Sequence, residues 1–182
     1  MNEHIILKME FPEGTNFDVS NSVISVSKGD KKMKKEFNLS NIHAKKEGRE
    51  LILEAKNATK REKTMINTIE AHIKNMIKGL DEEYIYKLEV AYLHFPVTLD
   101  VNKEKGLISI KNFLGEKKPR TSKIVKGADV EVNKNTITVT SHDKEVAGQT
   151  AANIEKATKI RNRDRRKFQD GIFITEKCGR AI

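Results

Sequence analysis

Two stretches of the chain gather the residue types that hold phosphates. From Lys111 to Lys126, six basic residues (Lys111, Lys117, Lys118, Arg120, Lys123 and Lys126) stand against the single acid Glu116. From Lys156 to Lys167, seven basic residues (Lys156, Lys159, Arg161, Arg163, Arg165, Arg166 and Lys167) stand against Asp164 alone. Cations at this density neutralise phosphates and release counterions. Arginine adds a planar fork of donors that matches phosphate oxygens two at a time. Each stretch also carries one phenylalanine, Phe113 or Phe168, with a glycine close behind at Gly115 or Gly171. Each ring has two readings: it stacks on an unpaired base, or it anchors its loop to the core. A third basic run, Lys31-Lys32-Met33-Lys34-Lys35, reads either as the wet face of a strand or as a further polyanion contact.

Catalytic chemistry needs convergent groups, and the sequence supplies none in a recognisable spacing. The histidines are His4, His43, His72, His94 and His142, with no HExxH or other metal-ligand spacing among them. Cys178 is the single cysteine, so the chain cannot build an internal disulfide framework. There is no GxxxxGK[ST] loop and no GxGxxG turn. The expectation is a protein without catalytic residues, metal or cofactor.

Composition bounds the remaining classes. The 182 residues carry a net charge of +9, which describes partners rather than fold. That charge is uneven. Residues 1–90 hold 16 basic against 15 acidic side chains, whereas residues 91–182 hold 19 against 11. The second half therefore carries the expected polyanion contact. The N-terminus does not read as a signal peptide, and no run approaches the roughly 20 apolar residues of a membrane helix. A soluble, cytoplasmic protein without membrane contact is expected.

The elements that would position these loops occur twice in the same order. Val23–Val26 and Leu51–Leu53 read as strands. Met65, Ile66, Ile69, Ile73, Met76, Ile77 and Leu80 recur at helical spacing on one face, with Gly79 as a plausible stop. Tyr84–Val90 reads as the strand that closes the unit. About 84 to 86 residues later, Leu107–Ile110, Thr136–Thr140, a weaker helix over 145–160 and Gly171–Thr175 repeat the pattern. The Lys111–Lys126 segment falls between the strands, and Gly115 and Pro119 mark it as a loop. The fold class predicted is α+β: two tandem duplicated domains, 1–82 and 83–182, each a small antiparallel sheet packed against one helix. The second is the basic one. No flexible linker marks the boundary, which lies within 81–93.

Three segments then resemble a known family. Tyr92-Leu93-His94-Phe95-Pro96-Val97, Asn112-Phe113-Leu114-Gly115-Glu116-Lys117, and Arg166-Lys167-Phe168-Gln169-Asp170-Gly171-Ile172-Phe173-Ile174-Thr175-Glu176-Lys177 look like motifs of large-subunit ribosomal protein six, the universal L-six family in its archaeal and eukaryotic form. Their order and spacing, the length and the duplicated layout fit over nearly the whole chain. The resemblance implies a structural protein of the large ribosomal subunit, held on its RNA near the sarcin–ricin loop and the stalk base. Neighbouring large-subunit proteins would be partners, and the near-neutral first domain would face solvent, proteins or incoming translation factors. By position, the residues expected at RNA are Lys111, Asn112, Phe113, Lys117, Lys118, Arg120 and Lys123, together with Arg161, Arg163, Arg165, Arg166, Lys167, Phe168, Asp170 and Gly171. The family often extends beyond the Cys178–Ile182 ending seen here, so contacts carried by such a tail are not expected of this chain. The rival reading is a non-ribosomal nucleic-acid-binding regulator, which the lack of a helix-turn-helix or zinc pattern weakens.

Overall fold

A computed structural model describes residues 3–20, 22–164 and 166–182. The chain divides into two units, Met1–Glu82 and Glu83–Ile182. The architecture is α+β in both, with one α-helix in each unit among the described residues. Each unit holds a second antiparallel sheet beside the one the sequence suggests.

In the first unit, β1 (Glu3–Glu10), β6 (Glu50–Ala58) and β5 (His43–Glu47) form one antiparallel sheet in the order β1-β6-β5. A second sheet has the order β2-β3-β4, from Thr15–Ser20, Val23–Lys28 and Lys31–Glu36. The lysine run lies on β4, an edge strand, where outward cations discourage pairing with another chain. Helix α1 (Lys60–Asp81) begins at a capping box, with Thr59 and Glu62 satisfying each other's backbone donors. Its Ile66, Ile69, Ile73, Met76 and Leu80 are buried, at the alternating spacings of three and four that place them on one stripe. Gly79 does not stop the helix. It is buried inside the last turn, and the end is made by the Glu82 N–H donating to the Lys78 carbonyl. These residues join Leu51, Leu53, Ile24, Val26 and Phe37 in one core.

The second unit repeats this plan with a larger sheet, ordered β11-β12-β7-β13-β14. Its strands are Asp129–Asn133, Thr136–Ser141, Tyr84–Ala91, Gly171–Lys177 and Arg180–Ala181. A three-stranded sheet, β10-β9-β8, is built from Arg120–Lys123, Leu107–Lys111 and Thr98–Asn102. Here the sequence reading needs correction. Tyr84–Ala91 does not close the first unit; it is the centre of the second unit's sheet, paired with both β12 and β13. It corresponds to β1, which pairs with β6 in the first unit. The strand's alternating burial hid this, because Tyr84, Tyr86, Leu88 and Val90 would fill either core equally well.

Helix α2 (Lys144–Ala157) starts at Asp143, whose side chain accepts from the Glu145 N–H, and ends two to three residues before the expected stop. It buries Ala147, Thr150, Ala151 and Ile154. The small residues let it sit close to β7: a Cβ on Gly148 would lie 3.1 Å from the Tyr86 hydroxyl oxygen. Burial, with Cys178 nearby, pushes that hydroxyl's pKa up to about 12. Thr158 caps the helix end and is buried; its Oγ1 donates to the Glu155 carbonyl and accepts from the Ile172 N–H at 3.0 Å. The start of β13 is thereby tied to the end of α2, which is where the second basic stretch begins.

Candidate nucleic-acid interface

The three motif segments meet around residues 92–97, just after β7. The Asn112 side-chain amide donates to the Pro96 carbonyl at 3.0 Å. The Phe95 ring packs over Gly115, 3.3 Å from where a Cβ would stand. On the other side, Asp170 accepts from the Leu93 N–H, and its Oδ2 lies 2.6 Å from His94 Nδ1. The His94 ring in turn stacks on Phe168, with centroids 5.4 Å apart. Segment 92–97 is therefore a post to which both basic loops are fastened.

The first loop is not irregular throughout. Phe113–Gly115 forms a 3₁₀ turn, and Arg120–Lys123 is strand β10. Asn112, Leu114 and Gly115 all have positive φ (59°, 50° and 75°). A left-handed conformation at a leucine costs of order 1–3 kcal/mol and persists only where surroundings enforce it. The enforcement comes from Phe113. It is 1% exposed, inside the core. Its ring anchors the loop and is not offered to a base. Of the two readings of Phe113, this burial against the sheet is the anchoring one.

Arg120 is also turned inward. Its guanidinium lies over the Phe113 ring, 4.4 Å from ring centroid to Cζ. It pairs with both carboxylate oxygens of Glu116 at 2.6 and 2.8 Å. Its Nη1 donates to the carbonyls of Ala157 and Lys159 at 3.0 and 3.4 Å. The hydrogen bonds from Arg120 outweigh partial burial and hold the Glu116 carboxyl below its ordinary value. Arg120 thus ties the first basic loop to the end of α2 and the start of the second. It is a brace between the loops rather than an outward phosphate hook.

The second loop keeps its cations outside. Arg161, Arg163, Arg166 and Lys167 are exposed, as are Lys111, Lys117, Lys118 and Lys123 in the first. Arg165 lies outside the described residues. Arg163 stacks on the Phe168 ring at 4.9 Å, opposite a ring already stacked on His94. Phe168 is half-buried by these partners. Lys111 lies 3.3 Å from Asp100, both well exposed.

Asp170 and Gly171 serve the frame as well. Asp170 is 3% exposed. Burial opposes its ionisation, but the hydrogen bonds from the Leu93 N–H and from His94 outweigh it, and the carboxyl titrates below its ordinary value. Gly171 is buried without a positive φ. Its lack of a side chain makes room for the Phe173 ring, which a Cβ would approach to 2.8 Å. Both residues also line the cleft between the end of α2 and the start of β13.

Sequence reasoning passed over the exposed apolar side chains beside these cations: Tyr92, Leu93, Phe95 and Phe173. The first motif contains three of them, and it was noticed only as a resemblance. Among the described residues, no group of three or more His, Cys, Asp or Glu is placed to hold a metal ion, and no helix is long and apolar enough to cross a membrane.

Residues 95–171, which contain both basic stretches, match the family described as Ribosomal protein L6. The chain is 42% identical over 175 residues to the large ribosomal subunit protein uL6 of Methanococcus vannielii, covering 96% of this chain and 95% of that one. It is 41% identical over 174 residues to the uL6 protein of Staphylothermus marinus, covering 94% of each. This chain belongs to the uL6 family of the large ribosomal subunit. The uL6 protein of Methanothrix thermoacetophila, 38% identical over 177 residues, is matched over 99% of its length, so the family likeness includes the first unit as well. In this uL6 chain, the matched segment begins at Phe95 and ends at Gly171. Phe95 packs on Gly115 of the first loop, and Gly171 follows directly on Asp170, which fastens the second.

Proposed function

We propose that this chain is a structural constituent of the large ribosomal subunit, that its second unit holds large-subunit ribosomal RNA, and that it does so near the sarcin–ricin loop and the stalk base. Membership of the uL6 family supports the ribosomal part. One structural observation carries the RNA reading: two separate basic loops are braced together by Arg120 and pinned to one post, so their outward cations form a single surface. Lys111, Lys117, Lys118, Lys123, Arg161, Arg163, Arg166 and Lys167 supply phosphate contacts on it, and the Asn112 backbone helps to present the first loop. Phosphate contacts of this kind position a protein on RNA by shape. The role is passive in the chemical sense, with no reaction step. Neighbouring large-subunit proteins and incoming translation factors fall to the first unit and to surfaces away from this one, in the ribosome of the cytoplasm.

Co-sedimentation tests the reading. The chain is expected to pellet with the large subunit through a high-salt wash, and neutralising the exposed cations of both loops is expected to release it. A chain that washes off at moderate salt, or binds duplex DNA as tightly as large-subunit RNA, would favour a free nucleic-acid-binding regulator.

A further inference from the structure

Beside the braced loops, the end of α2 and the start of β13 enclose a cleft of about 980 Å³. That is the size of sites that take small, partly apolar groups, about 300–1,000 Å³. Its apolar lining includes Ala91, Ala152, Ile160 and Phe173. Phe173 is 40% exposed, and Gly171 leaves room for its ring, as described above. The rim carries Lys156, Lys159 and Arg161, all exposed. Two acids also line the cleft, but both are engaged elsewhere: Glu155 accepts from the Ile174 N–H at 3.5 Å, and Asp170 from Leu93 and His94. Among the described residues, no carboxylate forms an ion pair with Lys156, Lys159 or Arg161.

An aromatic floor under a ring of unneutralised cations fits one chemical class. We infer that this cleft takes a single unstacked RNA base, with Phe173 against its face and Lys156, Lys159 and Arg161 on the flanking phosphates. The inference rests on the RNA-binding reading and sharpens it. Backbone contacts alone recognise shape, whereas a splayed base in a pocket fixes register at one nucleotide. An apolar peptide would leave the three rim cations desolvated and unpaired, and an acidic peptide would leave the aromatic floor unused.

The test uses the full chain on purified large-subunit RNA, with two footprints. Hydroxyl radicals report backbone protection, and dimethyl sulfate, kethoxal and a carbodiimide together report unpaired bases of all four kinds. Three proteins are compared: wild type, Phe173→Leu and Ala152→Leu. Ala152 is exposed on α2, so leucine there suits the helix while filling the cleft without altering charge. Wild type is expected to protect one unpaired base within its backbone footprint. Both variants should keep the backbone footprint and the salt dependence, lose that base, and bind about 5- to 150-fold more weakly, the worth of one base–aromatic stack. An intact backbone footprint with no protected base, or with protection unchanged in both variants, would overturn the base cleft alone. So would a result in which Ala152→Leu keeps the base but loses a neighbouring protein on subunit reconstitution. No backbone footprint in wild type would overturn the RNA reading and the cleft together.

Discussion

His94 Nδ1 lies 2.6 Å from Asp170 Oδ2, a contact between residues 76 positions apart that joins the strap after β7 to the end of the second basic loop. The same carboxylate accepts from the Leu93 N–H. One buried acid therefore fixes both the post and the loop that the cations stand on. Replacing it with alanine removes a charge-assisted hydrogen bond from the Leu93 N–H together with the His94 contact, at a cost of about 1.5–3 kcal/mol. We expect Asp170→Ala to lower the melting temperature of the second unit and to weaken RNA binding through the loop that Asp170 holds in place. Hydrogen exchange at Leu93 should quicken in that variant.

The acids in this frame also set a pH dependence. Asp170 and Glu116 both titrate below their ordinary values of 3.8 and 4.5 in the folded protein. In that window the unfolded chain binds more protons than the folded one, so stability falls as pH falls. Their contribution is complete above the ordinary values and is lost as pH drops through the lower folded ones. The melting-temperature gap between wild type and Asp170→Asn should therefore narrow between about pH 5 and about pH 3. A gap that widened over this range would reverse the assignment.

Arg120 makes a prediction opposite to that of a simple phosphate contact. Its fork is committed to Glu116, to the carbonyls of Ala157 and Lys159, and to the face of Phe113. Lysine cannot reproduce that planar geometry. Arg120→Lys keeps the charge, yet it should destabilise the unit by about 1.5–3 kcal/mol, the scale of hydrogen bonds to charged groups. Lys117→Ala should leave the stability within about 0.5 kcal/mol of wild type, as surface changes usually do. Denaturant unfolding of the two variants side by side measures the contrast.

The core of the first unit offers an independent check on the packing. Ile69 is fully buried on the stripe of α1. Ile69→Ala should cost about 2–5 kcal/mol of stability. Its effect on RNA affinity should be small compared with that of the second-unit variants, which binding at a temperature well below the variant's midpoint would show.

The legible part of this protein was its periodicity. The α1 stripe and the strand runs 23–26, 107–110 and 136–140 stand out because each has one apolar face and one wet face. The less regular strands escaped. In β5 and β10 polar residues fill most positions, and pairing rather than pattern makes them strands, while β4 answers to one of the two readings of the Lys31–Lys35 run. Tyr84–Ala91 pairs within the second unit, which the sequence does not reveal, because strand partners are chosen in space. At the site, charge marks the two basic stretches but does not sort their members. Arg120 and Arg163 have the same chemistry. Only the position of Glu116 and Phe113 turns one inward as a brace, while Phe168 holds the other at the surface. Likewise, no property of Phe113 in isolation distinguishes a core ring from a stacking platform.

The central claim is that the second unit supplies the RNA contact, and a salt series measures it most directly. Each neutralised phosphate contributes about 0.7 to 0.9 to the slope of log affinity against log salt. Three full-length proteins are compared on large-subunit RNA: wild type, a variant with Lys117, Lys159 and Arg161 changed to glutamine, and one with Lys31, Lys32 and Lys34 changed to glutamine. The slope should flatten by about 2 in the second-unit variant and stay at the wild-type value in the first-unit variant. A first-unit variant that loses as much slope as the second-unit variant, or more, would contradict the account.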